Sequence, residues 1–420
     1  MSEDDLNHYI LMNAMVLFFC AIIPLGDNMI KIDKTFFNTK TDRKKTNSVK
    51  HDMKPKGKVP DNLIPMWVAD MDFKVPPQVE EELVKTSRHG IFGYSYTDEE
   101  YDSLVVSWYK TRFGWDIKPD WILKTPGVMF AIGSVIRALT DKNDSVMILE
   151  PVYYPFAKIT IGNDRNLVIS NLKLDNNRYV IDFEDFEHKV VKHKAKLLLL
   201  CSPHNPVGRV WTKEELLEVA RICLKYGVII VSDEIHSDFV YKGYRHIPIA
   251  SLSEEILNST ITCTSPSKTF NIAGLQVSNI VIENQELRRK VWKACLQTGY
   301  SSLNTMAICA TKAAYKYGHL WLDALMDYLE DNVNLVQNVL CSKSGITLIR
   351  PEATYLMWLD CRNMNLDQDN LDSFFISKLG LWLSSGSIFG ESGNGFMRMN
   401  IATQRSVLHE ALHRIDMEIQ

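Results

Sequence analysis

Three polar residues, Asn205, Asp233 and Lys268, carry the chemistry that this sequence could perform, and each is expected just past the end of an apolar strand. Residues 197–200 (LLLL) lead into the loop CSPHNPVGRVW, which contains Asn205. Residues 228–231 (VIIV) lead into Ser232-Asp233-Glu234, and residues 260–264 lead into Ser265-Pro266-Ser267-Lys268. Singly, each has an ordinary explanation: a turn at Asn-Pro, a capping aspartate, a solvated lysine. Together they match what pyridoxal phosphate requires of a protein: a lysine for its Schiff base, a carboxylate partner for the pyridinium nitrogen and a donor to the ring hydroxyl.

The elements that would position them read as βαβ units. After the loop at 201–211, Thr212 and Glu215 form a Thr-x-x-Glu capping box. Leu216, Ala220, Cys223 and Leu224 keep one apolar helical face, and Gly227 supplies the stop. Alternation of short apolar runs with such helices predicts a parallel sheet, whose carboxyl edge is where ligands bind. From about Ala307 onward the pattern changes to longer helices, followed by strands around 354–359 and 396–401, which predicts a second, smaller α+β domain.

Composition narrows the classes. The chain has 420 residues, 46% hydrophobic and 23% charged, which excludes a disordered or collagen-like polymer. A net charge of −4 gives no global basic field for nucleic acid. The eight cysteines include no C-x-x-C pair and none in zinc-ligand spacing, so no metal is expected, and reduced thiols in a cytoplasmic enzyme are. Residues 14–25 form an apolar run too short to span a bilayer, preceded by Glu3, Asp4 and Asp5 where a signal peptide carries Lys or Arg. No membrane span is predicted. Residues 1–28 are read as a leader or non-essential extension, with Met29 opening a segment typical of a soluble start.

Three strings imitate other chemistries and lack their companions. Asp233-Glu234-Ile235-His236 looks like a helicase acidic box, yet no G-x-x-x-x-G-K-[ST] loop is present. Ser265-Pro266-Ser267-Lys268 imitates S-x-x-K without S-D-N or K-T-G. The glycines at 386, 390, 393 and 395 do not follow the G-x-G-x-x-G fingerprint.

His204-Asn205-Pro206-Val207-Gly208 and Ser265-Pro266-Ser267-Lys268-Thr269-Phe270-Asn271 closely resemble the two signature loops of fold-type I pyridoxal-phosphate enzymes of the class I/II aminotransferase group, a resemblance that extends over about residues 30–418. It implies the aminotransferase fold type I: an α/β chain with a mainly parallel sheet of the seven-stranded type in a large cofactor-binding domain (75–306), and a smaller α+β domain from residues 29–74 with 307–420. Carried over residue by residue, Lys268 is expected as the Schiff-base lysine, Asp233 as partner of the pyridine nitrogen and Asn205 as donor to the ring oxygen. Tyr153 is expected to stack on the ring. The phosphate is expected on Gly127-Val128-Met129, where a helix begins, with hydroxyls from Ser265 and Ser267. Arg398 matches the arginine that grips a substrate α-carboxylate. Tyr94 resembles the tyrosine that reaches the neighbouring subunit's cofactor phosphate, which implies a homodimer with shared active sites.

Departures narrow the branch. His236 stands where aminotransferases usually carry tyrosine, and Gln276 where many carry a phosphate-binding arginine. With residues 66–73 (MWVADMDF) and 273–276 (AGLQ), these look like the cystathionine β-lyase (C–S lyase) branch, in which Trp67 would line the substrate entrance and His236 would add a hydrogen bond at the cofactor. The expected activity is β-elimination from an L-cysteine S-conjugate such as cystathionine, with an aminotransferase using an oxo acid, or a moonlighting regulatory binding protein, as alternatives.

Overall fold

The computed structural model describes residues 22–25, 28–57 and 59–419. The expectation for residues 1–28 therefore lies mostly outside the described residues. Within them, Ile22–Leu25 pairs antiparallel with Asn28–Lys31. Among the described residues no helix is long and apolar enough to cross a membrane.

Seven strands form the central sheet: β1 (Ile122–Thr125), β2 (Ser145–Glu150), β3 (Asn166–Asn171), β4 (Leu197–Cys201), β5 (Ile229–Asp233), β6 (Thr260–Thr264) and β7 (Ser278–Val281). Their spatial order is β1-β7-β6-β5-β4-β2-β3. Only β7 runs against the rest, pairing antiparallel with β6 and β1, whereas the other pairings are parallel. The central strands are buried on both faces, which is why β4 (LLLLC) and the start of β5 (IIV) read as hydrophobic runs without alternation. In β4, Leu197, Leu199 and Cys201 join the core beneath helix α1 (Val128–Leu139), whereas Leu198 and Leu200 join the core beneath α2 (Lys213–Tyr226).

Local signals explain the helix positions. Thr212 caps α2 by accepting from the Glu215 amide at 3.2 Å, while the Glu215 carboxylate accepts from the Thr212 amide at 2.8 Å. Gly227 ends the helix in the left-handed region, at φ 67°. Gly127 precedes α1 at φ 114°, a conformation that L side chains rarely adopt.

The C-terminal part contains α3 (Thr305–Tyr317), α4 (His319–Leu340) and a second sheet of β8 (Thr347–Ile349), β9 (Leu356–Asp360), β10 (Ser384–Ser385) and β11 (Phe396–Asn400), ordered β8-β9-β11-β10 and antiparallel throughout. The N-terminal segment packs on α4: the Phe37 ring lies 5.4 Å from that of Trp321 and 5.6 Å from that of Tyr328. The strand expected from Thr354 begins two residues later, because Thr354 sits in the left-handed region at φ 69°, where no strand can start.

Replacing Thr212 with Ala removes the α2 cap and is expected to cost about 1 kcal/mol, read as a lowered midpoint in chemical denaturation. An unchanged midpoint would show that α2 does not depend on its cap.

Candidate functional site

The parallel register brings the expected residues level. Asp233 at the end of β5 stands opposite Cys201 at the end of β4 and Cys263 near the end of β6. The loops leaving these ends carry Asn205 and Lys268 into a cavity of about 380 Å³, which Gly127, Val128, Met129, Tyr153, Asp233, His236 and Arg398 also line. Val49, Trp67, Tyr154 and Ile388 form a more apolar part of its wall.

The cavity holds ionisable groups in unusual states. Lys268 is lowered to about 8, first by burial and further by Arg398, against the opposing charges of Asp70 and Asp233. Burial raises Asp233 to about 7, and Glu234 adds to the effect. Burial lowers His236 to about 3, with the cationic Lys268 and Arg398 contributing, so its ring is neutral at physiological pH. Burial lowers Arg398 to about 10, which leaves it cationic. Burial raises the Tyr153 hydroxyl to about 12. Perturbed groups gathered in one cavity are the usual mark of a reactive site.

Several of these groups keep hydrogen-bonding capacity in hand. His236 Nδ1 and Arg398 Nε are buried without a partner. Asp233 accepts from the Ile235 amide at 3.2 Å. Arg398 lies on β11 opposite Ser384 and Trp358. Its Nη1 donates to Asn205 Oδ1 at 3.0 Å, its Nη2 donates to Trp67 O at 2.8 Å and to Ser384 Oγ at 3.2 Å, and its guanidinium lies 4.7 Å from the Phe389 ring centre.

The segment 66–73 runs through this site with its carbonyls taken one by one. Met66 O accepts from the Asn400 amide, Trp67 O from Arg398 and Ser384, and Val68 O and Asp70 O from Asn400 Nδ2. Ala69 O accepts from Lys268 Nζ at 2.6 Å and Tyr355 Oη at 3.1 Å. Met71 O accepts from Arg43 and Asn271. Asp70 and Asp72 anchor the outer strap at 43–51: Arg43 pairs with both, and the fully buried Lys50 lies 2.7 Å from Asp72. Although burial alone would push Asp72 up, Lys50 and His51 hold it well below the usual carboxylate range. Trp67 Nε1 donates to Lys50 O at 3.3 Å, and the ring stacks on Trp382 at 4.3 Å.

Three expected residues stand apart from the cavity wall. Ser265 donates its hydroxyl to Val277 O at 2.6 Å, lies 2.8 Å from Ser267 Oγ and accepts from the Ser267 amide, capping the short helix that carries Lys268. Ser267 is buried beside it. Tyr94 is fully exposed and lines a surface depression with Thr305 and Lys312. Conversely, Asp70, Tyr355, Ser384 and Asn400 belong to the site without having been assigned a role from the sequence: Asp70 lies inside the 66–73 string, where only Trp67 was singled out, and the others lie in strings with no spacing signal.

Residues 61–415 match the sequence profile of the family described as aminotransferase class I and II. The chain belongs to this family. It is 39% identical over 380 residues to cystathionine beta-lyase PatB of Bacillus subtilis, covering 90% of this chain and 98% of that relative. Among solved structures, a PLP-bound putative aminotransferase of Clostridium difficile is 41% identical with a TM-score of 0.88, covering 90% of this chain and 98% of that one. Cystalysin of Treponema denticola, whose structure contains a pyridoxal 5′-phosphate cofactor, is 38% identical with a TM-score of 0.87, covering 91% and 98%. The seven-stranded sheet thus belongs to a class I and II aminotransferase-family fold, as the signature loops imply.

Burial raises Asp233 to about 7 from 3.8, so the folded chain holds this proton more tightly than the unfolded one. The associated stability is complete below pH 3.8 and is lost as pH rises through 7. In cofactor-free protein, Asp233→Asn is therefore expected to melt above wild type at about pH 8, by an amount on the order of a few kcal/mol, with the gap narrowing toward about pH 5. A pH-independent difference in melting temperature would overturn this assignment.

Proposed function

We propose that the chain is a pyridoxal-phosphate-dependent carbon–sulfur lyase that catalyses β-elimination from L-cysteine S-conjugates such as cystathionine, releasing a thiol, pyruvate and ammonia. The observation that carries the reading is one cavity lined by Lys268, Asp233, Asn205, His236 and Arg398 at the carboxyl edge of the sheet, in a chain that aligns over nearly its whole length with a cystathionine beta-lyase.

The residues fit the cofactor. Lys268 would hold it covalently, Asp233 would take its pyridine nitrogen, and Asn205 and the neutral His236, whose Nδ1 is unpartnered, would take its ring oxygen. Tyr153 would cover the ring face. The amides at Gly127-Val128-Met129, at the positive end of α1, would take the phosphate, with Ser265 and Ser267 shaping the Lys268 turn behind it. Bound there, pyridoxal phosphate supplies a carbonyl for the substrate amine and an electron sink for negative charge at Cα.

The chain's own groups do the rest. Arg398 binds the α-carboxylate, exchanging its contacts with Asn205 and Trp67 for a bidentate pair. Lys268, with an ε-amine lowered to about 8, is partly neutral at physiological pH and takes the Cα proton as general base. Asp233 would face the pyridine nitrogen and pass it the proton that burial alone makes it keep, leaving a carboxylate paired with the resulting cation. The β carbon–sulfur bond then breaks with its electron pair leaving on sulfur, which takes a proton to become the thiol. Water hydrolyses the released aminoacrylate to pyruvate and ammonia, so atoms balance with one water consumed. Trp67, Val49 and Tyr154 wall the side that the sulfur substituent would occupy.

We further propose a large cofactor domain over 75–306, a smaller domain from 29–74 with 307–420, and a homodimer. Exposed Ile91, Phe92, Tyr94 and Tyr96 form an apolar stretch suited to a second copy, which would bring Tyr94 to the partner's phosphate. Free cysteines at the described positions support a cytoplasmic setting.

Purified protein given cystathionine and pyridoxal phosphate, with no oxo acid, is expected to release free thiol and pyruvate in equal amounts. Amino transfer only after an oxo acid is supplied would replace the lyase with an aminotransferase, and silence in both assays would favour the regulatory reading. Lys268→Ala should abolish turnover and leave the cofactor bound non-covalently. Asp233→Ala should lose most of the rate with the fold retained; full activity of either variant would refute its assignment.

A further inference from the structure

Lys268 shares its acceptor. The carbonyl oxygen of Ala69 that takes the lysine amine also takes the hydroxyl of Tyr355. Tyr355 is fully buried, edge-on to Phe239 at 4.9 Å and 6.1 Å from the His236 ring. Burial, with the charge of Asp70 beside it, drives its hydroxyl far above the ordinary phenol range, so it stays protonated and donates.

The backbone before it is held in an unfavourable shape. Thr354, a β-branched residue, adopts φ 69°, a strained conformation for such a side chain. Three contacts maintain it: its amide donates to Phe239 O at 2.8 Å, its hydroxyl accepts from the Leu356 amide at 3.2 Å, and its carbonyl accepts from Tyr241 Oη at 2.7 Å. The bend this imposes directs Tyr355 to the Ala69 carbonyl at the head of β9.

We propose that Tyr355 is a positioning residue for the proton-transferring lysine: through the Ala69 carbonyl its hydroxyl fixes where the free amine of Lys268 rests and how firmly it is held there. The proposal rests on Lys268 being the base. A carbonyl oxygen has two lone pairs. With the tyrosine on one, the carbonyl cannot turn, and it offers the amine a single, weakened acceptor. The protonated amine is therefore held less tightly, and the neutral amine points away from Ala69 toward the substrate. Without the hydroxyl, the carbonyl gives both lone pairs to the ammonium, and the base limb moves to higher pH.

The test uses Tyr355→Phe holoenzyme, which keeps the ring and its packing on Phe239, and L-alanine, an amino acid with no β leaving group. Exchange of its Cα proton for deuterium is followed by NMR against pH, and its binding by the change in cofactor absorbance. The variant is expected to exchange about tenfold more slowly near pH 7, with the rising limb displaced upward by about one pH unit and alanine affinity unchanged. Site-specific 3-fluorotyrosine at 355, a stronger donor of nearly the same size, is expected to displace the limb the other way, and decides the matter if Tyr355→Phe does not fold. An unmoved limb with fluorotyrosine, or with folded Tyr355→Phe, overturns the proposal. Borohydride reduction and peptide mapping separate this from the underlying reading. Cofactor fixed to a residue other than Lys268 would overturn the lysine assignment and the tyrosine proposal with it, whereas cofactor on Lys268 with an unmoved limb would overturn the tyrosine proposal alone.

Discussion

A buried carbonyl without a donor costs about 1–3 kcal/mol, and the segment 66–73 crosses the centre of this protein with a succession of them. Every carbonyl from Met66 to Phe73 has found a donor, and the donors are side chains and backbone from distant parts of the chain: Arg43, Lys268, Asn271, Tyr355, Ser384, Arg398, Asn400 and Gln404. The requirement welds the N-terminal strap, the loops of the large sheet and the antiparallel sheet to one extended strip. Two of the donors, Lys268 and Arg398, are the groups to which the proposed mechanism assigns other partners. Their carbonyls retain a second donor each, Tyr355 and Ser384, so the strip stays satisfied when the reactive pair turns to a ligand.

The same dryness that makes a lone carbonyl costly sets the protonation states. Burial lowers Lys268 toward neutrality, keeps the proton on Asp233 and keeps His236 uncharged. These shifts oppose the charged forms that water would favour, and they reverse when a group of complementary charge enters. The cavity therefore stores its reactivity as desolvation.

What was legible in the sequence was local. Strand runs ending in Asn205, Asp233 and Lys268, the Thr212–Glu215 box and the Gly227 stop all depend on residues close in the chain, and the sheet carries them as expected. The family resemblance then supplied Arg398 and Tyr153, which no periodicity marks. Illegible were the groups whose roles arise from tertiary contact alone. Tyr355 looks like a strand aromatic, Asn400 like a strand end and Asp70 like surface charge, until the fold sets them around one strip. The strand start at Thr354 was misplaced because strand propensity favours a β-branched residue there, whereas two long-range hydrogen bonds, to Phe239 O and from Tyr241 Oη, hold a left-handed turn. Ser265 also caps the lysine turn by accepting from the Ser267 amide, a contact that its string does not announce.

The in-register neighbours of Asp233 are both cysteines, Cys201 and Cys263. Thiols are small, apolar in packing and poor hydrogen-bond donors, and burial holds both of these far above their ordinary titration range. Serine would fit either position and would offer the carboxylate a hydroxyl, satisfying it from within and dulling its demand for a cation. The thiol of Cys201 is turned instead to Pro203 O and the Asn205 amide, so the sheet leaves the carboxylate undersupplied, and the substitution that looks chemically closest is the one that would quieten it.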